Sequence, residues 1–224
     1  MRIYIDSADI AEITEALESG YVYGVTTNPT LLRRASVRAT GVPEIVRGAF
    51  EAGAKEMHLQ TYSDEVQGIV REAHALAELD PERLVVKIPA TPAGYAAAAQ
   101  LTARGLRVTL TAVYTVRQAI LSNAVGAHFV AVYLGRMRDQ GVDALSLVAQ
   151  MQRTLDTCAA TALAPTRSVE ILAASVRAPE EIEALAEIGV ATATLPLKVL
   201  KLLPESPATA AAASTFLEDT RAMQ

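Results

Sequence analysis

Cysteine is almost missing from this chain: Cys158 stands alone in a segment of helical period, so no intrachain disulfide can form and a reducing, cytoplasmic compartment is expected. Nowhere do about eighteen apolar residues run together, and the opening Met-Arg-Ile-Tyr-Ile-Asp carries no long apolar stretch. Neither a membrane span nor a secretion signal is therefore expected. Lysine and arginine are nowhere gathered into a dense run, and 20 basic against 25 acidic residues leave a formal net charge of −5, so nucleic acid is not an expected partner. No Pro/Gly/Ser-rich linker interrupts the 224 residues, of which 51% are apolar, and one domain spanning 1–224 with a sizeable core is the expectation.

Signatures of several chemistries are lacking as well. There is no G-x-G-x-x-G after the first apolar run, no G-x-x-x-x-G-K-[ST] and no G-x-S-x-G, which removes the usual nucleotide-binding loops and the hydrolase nucleophile elbow. His58, His74 and His128 are far apart, and no His/Cys/Asp cluster has ligand spacing. No metal and no cofactor are expected.

What is present is a repeating alternation of short β-like runs and longer helical segments. Strands are predicted at Arg2–Asp6, Gly24–Thr26, Glu56–Gln60, Leu84–Pro89, Arg107–Thr111, Phe129–Tyr133, Glu170–Ser175 and Ala191–Leu195. Ala8–Glu18, Asp64–Leu79, Ala93–Arg104 and Asp143–Ala159 have the i, i+3, i+4 apolar spacing of helices packed on one face, with Ser7, Asp64 and Thr91 as N-caps and Pro92 at a first helical position. Eight βα units fit either an open doubly wound sheet or a closed barrel, and the missing nucleotide loops favour an α/β fold of the (β/α)₈ TIM-barrel type. The segment at about 205–224, Ala-rich from Ala208 to Ala213, reads as an additional C-terminal helix packing on its own barrel or on a neighbouring subunit.

In such a barrel the C-terminal ends of the strands build the active site. Those ends are polar here: Asp6, Thr26-Thr27-Asn28, Gln60, Lys87, Thr109 and Thr111, Tyr133 with Arg136, Ser175 with Arg177, and Thr194. Helix capping and loop satisfaction account for Thr26 and Thr194 as well as function does. They account poorly for Lys87. Only four lysines stand against sixteen arginines, and this one lies in Leu84-Val85-Val86-Lys87-Ile88-Pro89. If Val86 and Ile88 meet the helices, alternation turns Lys87 into the barrel, where poor solvation lowers its pKa and frees a neutral amine to attack a carbonyl. An imine also requires a proton carrier, for which Tyr133 and Asp6 are available, with Gln60 and Thr111 sharing the inward parity. Arg136, Ser175 and Arg177 are suited to a phosphate.

At these residues the sequence resembles the small transaldolase family, which includes the fructose-6-phosphate aldolases, over nearly its full length. Ile3-Tyr4-Ile5-Asp6-Ser7-Ala8-Asp9, Gly24-Val25-Thr26-Thr27-Asn28-Pro29-Thr30, Val85-Val86-Lys87-Ile88-Pro89, Tyr133-Leu134-Gly135-Arg136 and Leu172-Ala173-Ala174-Ser175-Val176-Arg177 carry the match. The resemblance implies a metal-free barrel in which Lys87 forms the Schiff base. It implies that Asp6 and Asn28 contact a dihydroxyacetone unit, and that Arg136, Ser175 and Arg177 hold the phosphate. It also implies homo-oligomeric rings, pentamers or decamers, with the C-terminal helix reaching a neighbour. Transaldolases proper resemble one another in a glutamate where this chain has Gln60, a phenylalanine where it has Tyr133 and an asparagine where it has Thr109. The Gln60, Thr111, Tyr133 set is similar to the fructose-6-phosphate aldolase branch, whereas Thr109 and Val132 are typical of neither. An aldolase is thus expected, with Thr27 and Thr109 among the binding residues. A transaldolase acting in the pentose phosphate pathway is the alternative, and a non-catalytic sugar-phosphate binding barrel a third reading.

Overall fold

The computed structural model describes residues 1–161 and 168–223. Strands β1 (Arg2–Asp6), β2 (Val22–Thr26), β3 (Glu56–Gln60), β4 (Leu84–Pro89), β5 (Val108–Val113), β6 (Phe129–Tyr133), β7 (Glu170–Ala174) and β8 (Thr192–Leu195) are parallel and close in sequence order. Pairing of β1 with both β2 and β8 makes the barrel and removes the open-sheet alternative. Among the described residues the helices are α1 (Ile10–Glu18), α2 (Pro29–Arg34), α3 (Val42–Glu51), α4 (Val66–Ala77), α5 (Pro92–Thr102), α6 (Val116–Ala124), α7 (Leu134–Asp139), α8 (Ala144–Ala160), α9 (Glu180–Ile188), α10 (Leu197–Leu200) and α11 (Pro207–Ala222). No helix among them is long and apolar enough to cross a membrane.

Several predicted boundaries move. Asp9, not Ser7, caps α1 by accepting from the Ala11 amide at 2.8 Å, while the Ser7 hydroxyl donates to Glu12 at 2.6 Å. Asp64 does not cap α4, which starts after Glu65 without a side-chain cap. Thr91 caps α5 as expected, accepting from the Gly94 amide at 3.0 Å with Pro92 in the first turn. Backbone pairing rather than side-chain pattern sets the strand edges, so β2 starts earlier than Gly24, β7 ends before Ser175 and β8 begins after Ala191. Strand β5 runs past Thr111 through a register shift between Leu110 and Val113, with Ala112 held at φ 58°. The C-terminal segment forms α11, but its described residues bury no face on the barrel, and Phe216 and Leu217 are 67% and 60% exposed. Gln224 lies outside the described residues.

Strand alternation sorts the core into two compartments. Outward residues such as Ile5, Val25, Leu59, Val86, Ile88, Leu110, Val132 and Ile171 pack against the helices in one continuous cluster. Inside the barrel, Tyr4, Ala131 and Leu172 form a separate small apolar cluster, and much of the remaining lumen is polar. At its lower end Glu56 accepts from the Tyr4 hydroxyl at 2.7 Å and pairs with Arg107 and, at 2.9 Å, with His58 Nε2. Burial alone would raise the Glu56 carboxyl, yet the bonds to His58, Arg107 and Tyr4 hold it at about 2. It is ionised and can only accept, so His58 Nε2 carries the proton. His58 Nδ1 therefore accepts from the Thr109 hydroxyl at 2.9 Å.

This network predicts acid sensitivity. Glu56, depressed from 4.5 to about 2, contributes stability that is present above its unfolded value and lost as pH falls towards its folded one. Burial holds His58 below 6.5, so the unfolded chain takes up that proton first and stability declines in the same direction. Urea midpoints should fall steadily from pH 7 to pH 3 in the unmodified protein. Glu56→Gln should lose about 3–5 kcal/mol at pH 7, because Arg107 is left uncompensated, and should show a flatter decline below pH 4.5. Parallel pH slopes in the two proteins would contradict the assignment.

Candidate active site

At the C-terminal mouth of the barrel a cavity of about 180 Å³ is lined by Asp6, Asn28, Thr30, Leu31, Arg34, Lys87, Tyr133, Arg136, Ala174 and Ser175. Drug-sized ligands occupy pockets of roughly 300–1,000 Å³, so the enclosed part suits a fragment of a few carbons. A larger groove of about 820 Å³ lies between α3 and the segment that follows α4, at Leu79, Asp80 and Arg83, and Lys87 is not part of it.

Lys87 forms the floor. Only 2% exposed, it projects from β4 between Gln60 of β3 and Thr109 of β5 in strand register, and its Nζ donates to the Thr27 carbonyl at 3.1 Å. Burial pushes its pKa below that of ordinary lysine, with Asp6 pulling the other way. Burial likewise raises the Asp6 carboxyl, against the opposing charge of Lys87, a hydrogen bond from Thr26 and the charge of Arg136. Burial thus shifts both groups towards their neutral forms and their mutual charge opposes it; a neutral amine can act as a nucleophile and a neutral carboxyl as an acid. Asp6 is held in place from behind: Thr26 donates to it at 2.7 Å, which leaves the Thr26 oxygen to accept from Thr194 at 2.6 Å.

The walls come from two short helices. Asn28 is the N-cap of α2, its Oδ1 accepting from the Thr30 and Leu31 amides at 3.0 and 3.1 Å, so the group left for the cavity is its Nδ2 donor. Thr27 is buried beside it, its hydroxyl without a hydrogen-bond partner among the described residues. Opposite stands Tyr133, just before α7. Its hydroxyl is 3.2 Å from Thr111, its ring meets Tyr114 edge-on at 5.9 Å, and the Arg136 guanidinium lies 4.7 Å from the ring centre. The bulge in β5 places Thr111 for this contact, at the cost of a left-handed alanine at the next position. Gln60 ends β3 half-buried, with no side-chain hydrogen bond to another described residue.

Of the residues grouped with the site by sequence, Thr27, Gln60, Thr109, Thr111 and Arg177 do not line the cavity. The Thr109 hydroxyl is fully buried and turned down to His58. Arg177 has its two terminal guanidinium nitrogens bound by the Asp139 oxygens at 2.7 and 2.5 Å and its backbone amide held by Glu181 at 2.8 Å, while its Nε packs beside Gly135. Ser175 does line the cavity, in a left-handed conformation at φ 60°, and its carbonyl accepts from the Gly135 amide at 3.2 Å. Glycine is required there: a Cβ on residue 135 would stand 2.5 Å from that carbonyl and 2.8 Å from the Ser175 hydroxyl. Thr30, Leu31, Arg34 and Ala174 were not singled out by sequence. The available signal was Asn28-Pro29, an N-cap followed by a first-turn proline, which starts a helix and sets 30, 31 and 34 on one face.

The family model for transaldolase/fructose-6-phosphate aldolase matches residues 3–224. The chain belongs to this family. It is 34% identical over 219 residues to a "Probable transaldolase" of Geotalea daltonii, covering 98% of this chain and 97% of the relative. A relative of the same name from Kosmotoga olearia is 35% identical over 223 residues, covering 98% and 95%. Membership makes the protein an aldolase or transaldolase of carbohydrate metabolism. Solved structures match in fold alone. One described as "Native KDPGal structure" aligns with TM-score 0.59 at 13% identity over 86% of this chain and 80% of the other. A mandelate oxidase variant aligns at 0.60 and 11% identity, over 91% and 67%.

Proposed function

We propose that the chain is a Schiff-base aldolase of the fructose-6-phosphate aldolase kind, cleaving a ketose phosphate reversibly into a dihydroxyacetone unit and an aldehyde such as glyceraldehyde 3-phosphate. The observation that carries the Schiff-base chemistry is the buried Lys87 amine, which lines the cavity together with Asp6, and the Tyr133 hydroxyl 3.2 Å from Thr111 supports cleavage over transfer. The neutral amine attacks the C2 carbonyl, and loss of water with a proton from an acid such as Asp6 gives the imine. A base then takes the C4 hydroxyl proton and the C3–C4 bond breaks, its electron pair passing into the imine to give an enamine. The aldehyde departs. Protonation at C3 and hydrolysis release dihydroxyacetone and restore Lys87. Since the imine is the electron sink, the route needs neither metal nor organic cofactor.

Tyr133, 3.2 Å from Thr111, is the proton carrier in this scheme, acting through a water shared with Gln60. Asn28 Nδ2 binds the dihydroxyacetone hydroxyls, and Arg136 and Ser175 take the phosphate. A cytoplasmic homo-oligomer, pentameric or decameric by resemblance, completes the proposal, supported by the uncovered Phe216 and Leu217 of α11.

Transfer of the three-carbon unit to an aldose phosphate is the second reading, favoured by the names of the relatives. It shares every step up to the enamine. Product analysis separates the two: with fructose 6-phosphate alone, free dihydroxyacetone and glyceraldehyde 3-phosphate are expected at a rate that erythrose 4-phosphate does not greatly raise. Turnover that requires erythrose 4-phosphate would establish transfer instead.

A further inference from the structure

We propose that Arg34, at the end of α2, is a specificity-determining residue that clamps the phosphate of the substrate together with Arg136. This rests on the reading of Lys87 as the imine-forming residue. Two arginines close in sequence to the lining residues Arg136 and Ser175 are paired with carboxylates: Arg177 with both oxygens of Asp139, and Arg138 with Glu181. Arg34 and Arg136 both line the cavity, and among the described residues neither makes an ion pair with a carboxylate. They are the two arginines that line the cavity.

Their placement fits one end of an extended substrate. Lys87 and Asp6 occupy the floor, whereas Arg34 comes from the α2 wall and Arg136 from the α7 wall, with Ser175 also lining the cavity. Two guanidinium groups offer two positive charges and several planar N–H donors, which matches a phosphate dianion better than a hydroxyl. Arg34 is presented by a fixed frame. Asn28 and Pro29 set the start of α2, and Leu32 is buried at 5%, so the helix cannot roll without exposing it. Thr30 and Arg34, one helical turn apart, are thereby kept on the face towards the cavity.

The test measures kcat/KM for aldol addition of dihydroxyacetone to glyceraldehyde 3-phosphate and to unphosphorylated glyceraldehyde. Arg34→Ala should lower the value for the phosphorylated aldehyde by about 10- to 100-fold, the usual worth of a hydrogen bond to a charged group. The loss should appear chiefly in KM, while the unphosphorylated aldehyde changes by no more than about 3-fold. Arg34→Lys should recover part of the selectivity, since it keeps charge but loses the planar fork. Borohydride trapping of dihydroxyacetone on Lys87 is run on each variant to show that the floor of the site is intact. Selectivity unchanged in Arg34→Ala, or equal losses on both aldehydes, overturns the clamp while trapping persists. Absence of trapping in the unmodified protein overturns the imine reading itself.

Discussion

Lys87→Met is expected to abolish turnover to background and to eliminate the covalent adduct that borohydride leaves in the presence of dihydroxyacetone. The unmodified protein should carry that adduct on Lys87 alone. Lys55, Lys198 and Lys201 are all exposed, so accessibility by itself would favour them, and labelling of the buried residue instead would report reactivity. Reactivity follows from solvation. An exposed ammonium is almost wholly protonated near neutral pH, whereas burial lowers the Lys87 pKa and raises the fraction present as free amine. Adduct formation should therefore persist at pH values where exposed lysines are inert, and fade as the pH falls. Methionine has similar length and carries no charge to bury, so Lys87→Met should unfold in urea no earlier than the parent. Loss of activity without loss of stability separates a chemical role from a structural one. An adduct that survives in Lys87→Met would end the proposal.

The inward direction of Lys87 was legible in the sequence because a strand has period two and its alternate residues, Val86 and Ile88, are apolar; both pack among the helices. Parity gives a side, however, and says nothing of depth. Thr109 and Thr111 share the inward parity, yet the first hydrogen-bonds down to His58 while the bulge at Ala112 brings the second to Tyr133. The position of Arg177 depends on Asp139, 38 residues away in sequence, and no local pattern announces that pair. Arg34 lay hidden for the opposite reason: α2 has six residues, too short for a periodic apolar stripe, and only its capped start reveals it. The polar lumen of Glu56, His58 and Arg107 was equally illegible, since charged residues in a strand read as solvent-facing until the barrel closes over them.

Tyr133→Phe should slow aldol cleavage by about 10²–10⁴-fold, the range for loss of a general acid/base, while leaving the Lys87 adduct nearly intact. The substitution removes one oxygen and little else. The phenyl ring can keep the edge contact with Tyr114 and the cation contact with Arg136, so the α7 wall should stay where it is. What is lost is the hydroxyl 3.2 Å from Thr111, and with it, in the proposed mechanism, the path by which a proton reaches the reacting carbon. Gln60, in register with Lys87, cannot take over, because an amide does not ionise in this range. Gln60→Glu places a titratable carboxyl there, and in the Tyr133→Phe background it should restore part of the lost rate, with a pH profile that follows the new acid. It should also favour transfer over cleavage, which is measured by adding erythrose 4-phosphate to both proteins and comparing products. Restored rate with an unchanged pH profile would mean that the introduced carboxyl is not carrying the proton. Unchanged cleavage in Tyr133→Phe would remove the tyrosine from the mechanism and leave Asp6, whose carboxyl is pushed up by burial on the same floor as Lys87, as the group that must carry both proton transfers.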